Sequence, residues 1–413
     1  MSGVATRIAD GLRPLVRGDL PVRLVAWDGS TAGPADAPLV VLNSPRALSR
    51  VFWRPGELGA AQAYVSGEID VEGDLDAALT HVWDVAHERG LDSMGATPAM
   101  AAALLKVVRD VRLPPSAPDS QARVRGRLHS KLRDSRAISH HYDLSNEFYS
   151  LILDESMAYS SAYWRSDDPA YTLADAQRDK LQLILDKLGL QPGMSMLDVG
   201  CGWGSLSLYA AERGIRVTGV TIAAEQKKFI DERIRDRGLE DHVEIHLRDY
   251  REVTGEFDAV ASVEMGEHVG KRNYPTYAAV LRRAVRPGGR VLVQQMSRRG
   301  RHPGGGPFIE SFIAPDMHMR PVGETVAFFE DAGLEVRDVH AMREHYVRTV
   351  AAWIDVFESN FDRVVELVGE EVARVWRLYL VGGQMAFRDG RMGVDQILAV
   401  RPGPHTVPPV RTW

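Results

Sequence analysis

Leu197-Asp198-Val199-Gly200-Cys201-Gly202-Trp203-Gly204 is a short apolar run that meets an acid and then breaks into a Gly-x-Gly-x-Gly turn. Residues 194–199 have the length and apolarity of a buried strand, and 205–213 carry apolar residues at helical spacing. Glycines at such a strand–turn–helix junction accept backbone angles that other residues resist, and they let main-chain N–H groups approach a ligand closely. A dinucleotide-binding turn usually spaces its glycines GxGxxG and places an acid about 20 residues on to hold a ribose. Here the third glycine comes early, and the next strand ends in Val220-Thr221 without an acid; Glu225 and Gln226 follow on the next helix. Asp198, just before the first glycine, suits a cationic ligand better than a pyrophosphate. The turn therefore points to S-adenosylmethionine, with a nicotinamide dinucleotide as the weaker rival. Cys201 reads as a small loop residue, because no neighbouring histidine or cysteine marks it as a nucleophile.

Outward from this turn, helix and strand alternate regularly. A helix over 173–188 ends at Gly189, strands are predicted at 215–220, 243–247, 257–263 and 289–295, and a helix at 225–237. This alternation implies a mostly parallel sheet with helices on both faces. Residues 346–387 read as mainly helical and 394–400 as a final strand. The first 112 residues are mixed, with strands at 22–27 and 39–42 and helices at 75–88 and 98–111. In 113–121, LPPSAPDSQ, Pro114, Pro115 and Pro118 stop any helix. The expected organisation is a small N-terminal α+β domain over 1–112, a linker and basic segment over 113–136, and an α/β catalytic domain over 137–413.

A net charge of -6 leaves no global reason to expect a nucleic-acid partner. One cysteine excludes an internal disulfide framework and suits a reducing cytoplasm. The N-terminus, broken by Arg7, Asp10, Arg13 and Arg17, has neither signal-peptide nor membrane-span character, so any membrane contact is expected to be peripheral. The segment 122–136 carries Arg123, Arg125, Arg127, Lys131, Arg133 and Arg136 against Asp134. It reads either as a solvated helix face or as a patch that seats on an anionic membrane, where each basic residue is worth about 1 kcal/mol. The loop 297–307, with Arg298, Arg299 and Arg301, is a solvated surface or a grip on a lipid phosphate. His140, His141 and His268 lack metal-ligand spacing, and no metal site is expected.

With the turn in place, the flanking motifs resemble one family. Ser139-His140-His141-Tyr142-Asp143-Leu144-Ser145-Asn146-Glu147-Phe148 and Met157-Ala158-Tyr159-Ser160-Ser161-Ala162-Tyr163-Trp164 are similar to segments of cyclopropane-fatty-acyl-phospholipid synthases and mycolic acid methyltransferases. So are Gly219-Val220-Thr221-Ile222 with Gln226, Arg248-Asp249-Tyr250-Arg251, and Glu264-Met265-Gly266-Glu267-His268-Val269-Gly270. The resemblance implies a class I S-adenosylmethionine-dependent methyltransferase with a Rossmann-like, mostly parallel seven-stranded sheet. It implies Tyr159 and Ser160 beside the methionine part of the cofactor, Gly200 and Gly202 as the pocket floor, Thr221 and Gln226 at the ribose, and Asp249 and Tyr250 at the adenine. The N-terminal region looks similar to the smaller domain of the fatty-acyl members, which points to a membrane phospholipid substrate. The reaction so implied is attack by a cis alkene on the sulfonium methyl, then loss of one proton from the resulting carbocation.

In cyclopropane-forming relatives a bicarbonate, held by a Cys, a Glu, a His and a Tyr, takes that proton. The Glu matches Glu267 and the Tyr matches Tyr346, but the Cys position is Ser161 and the His position Gln294. Glu147 stands where Asp is common. These changes count against bicarbonate and predict a different proton acceptor, Glu147 or Glu267. The expected product is a methylene-branched chain, precursor of a methyl branch made with a flavin-dependent reductase partner; cyclopropanation is the alternative. A catalytically silent lipid- or cofactor-binding protein is the rival of another class. The residues leave homo-oligomerisation open, and the expected location is cytoplasmic, on the inner face of the membrane.

Overall fold

The computed structural model describes residues 3–91, 113–122, 144–300 and 303–404. The helix expected at 98–111, nearly all of the basic segment, and His140 and His141 lie outside those residues. The chain divides into two compact units: Met1–Gln121 with Val365–Met385, and Ala122–Val364 with Ala386–Trp413. Residues 365–385, expected with the catalytic region, thus join the N-terminal unit.

In the N-terminal unit, β1 (Arg23–Val25), β2 (Thr31–Ala32), β3 (Leu39–Leu42) and β4 (Ile69–Glu72) form a sheet in the order β2-β1-β3-β4. Val4, Ala5 and Ile8 of the helix Val4–Leu12 share one core with Leu24, Ala26 and Leu42. The helix Leu75–Glu88 starts where the sequence predicts, because the Asp74 carboxylate accepts from the N–H groups of Asp76 and Ala77. A buried ion pair joins Arg50 to Glu68, Nε to Oε2 at 2.7 Å and Nη2 to Oε1 at 3.2 Å, while Nη1 donates to the Ser116 carbonyl. Arg374 ties 365–385 to this unit by donating to the carbonyls of Tyr64 and Ile69.

In the larger unit, β5 (Ser195–Val199), β6 (Arg216–Thr221), β7 (Val243–Leu247), β8 (Phe257–Val263), β9 (Val285–Ser297), β10 (Glu335–Ala341) and β11 (Gly393–Val400) form one sheet. The order is β10-β11-β9-β8-β5-β6-β7, and β11 alone runs antiparallel to its neighbours. The mostly parallel seven-stranded sheet expected from the sequence is therefore present. The helices Leu173–Leu188, Ser205–Ala211 and Ala224–Arg237 pack on one face. Tyr274–Ala284 and Val322–Asp331 cover the other. Thr172 and Asp175 cap the first of these helices reciprocally, and Gly189, at φ 67°, closes it in the left-handed conformation.

β10 escapes the sequence reading for a physical reason. It is an edge strand, and its one fully buried side chain is charged: Asp338 pairs with the buried Lys187 at 3.2 Å. From β5 the sheet grows to β6 on one side and to β8 on the other, so a crevice opens at the C-terminal ends of these strands. Among the described residues, no helix is long and apolar enough to cross a membrane.

Removing Glu68 leaves the Arg50 charge buried without its partner. Glu68→Ala is expected to cost about 3–5 kcal/mol of stability, whereas Ala at the exposed strand residue Glu72 leaves the melting temperature unchanged. Thermal denaturation of the two variants side by side checks this.

Candidate functional site

A cavity opens at the strand ends of the larger unit, with about 1170 Å³ of empty space counting its mouth. That suffices for a nucleoside-sized ligand. Gly200, Gly202 and Gly204 in the β5 turn have φ of 77°, 55° and 83°, in the left-handed region. A Cβ at Gly200 would lie 2.7 Å from the Met265 side chain. At Gly202 it would meet nothing within 4 Å, so the turn presents bare backbone to the cavity. Thr221 at the end of β6 donates from Oγ1 to Gln226 Oε1 at 3.1 Å, and both line the cavity. Asp249 and Tyr250 line it beyond β7, where Asp249 is held by Arg251 through Nε at 2.7 Å. Tyr159 and Ser160 line it from the opposite segment. All eight cofactor positions drawn from the resemblance therefore border one cavity.

Two buried charges on its wall were not singled out as a pair. Lys180 donates to Ser160 Oγ at 3.0 Å, and burial pushes its pKa down to about 8. Asp198 accepts from Ser207 Oγ at 2.7 Å, and burial pushes its pKa up to about 6. Lys180 sits within an amphipathic helix, where sequence spacing alone marks it as a surface residue. Cys201 is buried, and burial raises its thiol well above the usual range. That fits a packing role.

The proton-acceptor residues fall differently from expectation. Tyr346 donates from Oη at 2.7 Å to Glu264, not to Glu267. Glu264 also accepts from Gln294 Nε2 at 2.9 Å and from the Ser161 N–H at 2.8 Å. The Ser161 hydroxyl turns away and donates to the Ala162 carbonyl. Gln294 is fixed in turn: its Nε2 also donates to the Ser161 carbonyl, and its Oε1 accepts from Gln396. Glu264 lines the cavity and has φ 49°, a backbone conformation that costs a non-glycine residue about 1–2 kcal/mol. Burial raises its pKa, opposed by the hydrogen bonds from Tyr346, Gln294 and Ser161.

Glu267 sits behind this group and is not among the lining residues described. Its Oε1 accepts weakly from the Met296 N–H at 3.3 Å, while Oε2 is buried without a hydrogen-bond partner. Burial, then the nearby Glu264 charge, push it up to about 8, so it is mostly uncharged at neutral pH. Glu147 is half exposed, paired with Arg363 at 2.6 Å, and also absent from the described lining. Of the two bases expected from the sequence, Glu147 lies half-exposed and Glu267 is buried close to Glu264, and neither is among the residues that line the cavity. Glu264 was quoted within its motif but not chosen, because a motif cannot show which of its two carboxylates turns inward.

An aromatic wall adjoins Glu264. Tyr346 and Trp353 have ring centres 5.9 Å apart, Trp353 and Tyr159 5.4 Å, and Tyr346 stacks on Phe387 at 4.3 Å. Such π faces stabilise a cation without reacting with it.

Residues 129–397 match the family model described as mycolic acid cyclopropane synthetase. A probable fatty acid methyltransferase of Mycobacterium tuberculosis is 37% identical over 96% of this chain and 95% of its own. The tuberculostearic acid methyltransferase UfaA1 of the same organism is 35% identical over 98% of this chain and 93% of its own. The crystal structure of the mycolic acid cyclopropane synthase CmaA1 complexed with SAH and CTAB aligns with a TM-score of 0.61. It is 29% identical and covers 64% of this chain and 98% of that one.

Alanine at Gly202 meets only the left-handed strain and is expected to cost about 1–2 kcal/mol. At Gly200 it meets the same strain plus the Met265 collision and should destabilise more, as chemical denaturation would reveal. For Glu267, the folded-state pKa near 8 lies above the ordinary value of 4.5, so the folded state holds a proton that the unfolded state has released. Stability contributed by that proton is present in full below about pH 4.5 and is lost as pH rises to about 8. Glu267→Gln should therefore gain in melting temperature relative to the parent as pH rises through that window. A pH series of melts checks the trend.

Proposed function

The chain belongs to the mycolic acid cyclopropane synthetase family and has the class I S-adenosylmethionine-dependent methyltransferase fold, and on that premise we propose that it closes a cyclopropane ring on phospholipid acyl chains. It is a methyltransferase that uses S-adenosylmethionine, and the family relation extends that activity to unsaturated fatty-acyl chains. When bound, the cofactor supplies an electrophilic methyl that the alkene's π electrons attack, which leaves a carbocation on the acyl chain.

What the residues must then do follows from that charge. The bare backbone of Gly200 and Gly202 would form the floor for the cofactor, with Thr221 and Gln226 at the ribose, Asp249 and Tyr250 at the adenine, and Tyr159 and Ser160 at the methionine part. The lining holds Lys180, Arg248 and Arg251 with Asp198, Asp249 and Glu264; Asp249 is paired with Arg251, and the buried acids Asp198 and Glu264 would face a positively charged ligand. Tyr159, which lines the cavity, would face the carbocation with its π cloud, backed by Trp353 and Tyr346.

The observation that carries ring closure is a carboxylate held inside the cofactor cavity by Ser161, Gln294 and Tyr346. A base already in place removes a proton from the new methyl before a hydride can shift, and that early loss closes the ring. The family description and the name of the CmaA1 structure both refer to cyclopropane formation, which supports this product over the branched one expected from the sequence. The branched product is the second reading, favoured by the UfaA1 relative, which matches nearly the whole chain. It would bring in a flavin-dependent reductase; the ring needs none. Seating on an anionic membrane surface through the 122–136 segment belongs to the same proposal.

Incubation with ¹³C-methyl S-adenosylmethionine and vesicles of cis-unsaturated phospholipid, followed by NMR of the extracted lipid, tests the product. High-field cyclopropane methylene signals are expected. Vinylidene signals would transfer the assignment to branching, and an absence of labelled lipid would overturn methyl transfer to phospholipid.

A further inference from the structure

We propose that the carboxylate of Glu264 is the built-in proton acceptor of this reaction, seated where a diffusible small anion would otherwise have to bind. The proposal rests on the methyl-transfer reading above.

Three donors converge on this carboxylate from three separate segments: the Ser161 N–H, Gln294 Nε2 and Tyr346 Oη, at 2.8, 2.9 and 2.7 Å. That is a receptor for a planar oxyanion, and the chain supplies the oxyanion itself. The backbone is strained to do so, since Glu264 is one of three non-glycine residues described with positive φ. Strain of this kind persists where the surroundings over-determine it, and it clusters at reactive sites. Two further observations fix the receptor's geometry. Gln396 donates to Gln294 Oε1, which orients the amide toward Glu264, and the Tyr346 ring is stacked on Phe387.

The step balances without any other reagent. The carbocation has a neighbouring carbon that bears the new methyl group. Glu264 takes one proton from that methyl, and the released C–H electron pair forms the bond to the cationic carbon. The product is a neutral three-membered ring and a protonated Glu264, which returns its proton to solvent on product release. A carboxylate displaced upward by burial is a stronger base than one in water, and the three donors oppose that displacement by favouring its charged form. Gln294 and Gln396 are positioning residues in this scheme.

Glu264→Gln and Glu264→Gly provide the test, with carbon dioxide and bicarbonate stripped from the buffers. The wild type should label phospholipid at an unchanged rate after stripping. Both variants should still bind S-adenosylmethionine by calorimetric titration but lose on the order of 10²-fold or more in turnover. Glycine relieves the strained angle and vacates the receptor, so millimolar bicarbonate or formate should raise both the turnover and the melting temperature of Glu264→Gly. Neither anion should affect the wild type. Wild-type activity that disappears on stripping, or Glu264→Gln turning over like the parent, would sink the assignment while methyl transfer stood. A wild type that labels no lipid would instead remove the methyl-transfer reading itself, and this inference with it.

Discussion

The carboxylate of Glu264 joins four pieces of chain that share no local sequence relation. It extends from the end of β8, takes the N–H of Ser161 from the 157–164 segment, the amide of Gln294 from β9 and the hydroxyl of Tyr346 from the helix Arg343–Ser359. The same segments are stitched again nearby. Thr349 Oγ1 accepts from the Ala162 N–H and from Trp164 Nε1, and Gln177 Nε2 donates to the carbonyls of Ala158 and Ser160. A buried charge held by donors from several elements makes those elements cooperate, because displacing any one leaves the charge undersatisfied. The position of Tyr159 and Ser160 on the cavity wall follows from this stitching.

The cavity wall carries buried charge. Lys180, Asp198 and Glu264 lie on its wall, and burial shifts each toward neutrality: Lys180 down, the two acids up. Their mutual attraction opposes those shifts, and Glu267 next to them is pushed far enough to be mostly neutral at physiological pH. The buried acids Asp198 and Glu264 would face the charge of a sulfonium ligand and, in the proposed reaction, of a carbocation.

Several features were legible in the residues one at a time. The β5 strand and its glycine turn announced themselves because each glycine is demanded locally, by a left-handed backbone angle at Gly200, Gly202 and Gly204. The helix Leu173–Leu188 was legible from its apolar spacing and its closing Gly189. Other features were not. The edge strand β10 hides its one fully buried position under a charged residue, Asp338, whose partner Lys187 is 151 residues away in sequence (338 against 187). The assignment of 365–385 to the N-terminal unit depends on Arg374 reaching the carbonyls of Tyr64 and Ile69, which no pattern within the helix records.

By itself, then, the sequence determined the fold class, the cofactor turn and the family motifs, because periodicity, turn chemistry and motif spacing are local properties. Which carboxylate enters the cavity was decided only by tertiary structure. Glu264 and Glu267 sit three positions apart in one motif, and the chain must turn through Met265 and the short 3₁₀ segment Gly266–His268 before their directions diverge. Glu264 turns toward Ser161, Gln294 and Tyr346, whereas Glu267 turns toward the Met296 N–H. That choice is made by donors brought together from distant parts of the chain, and so it exists only once the sheet has formed.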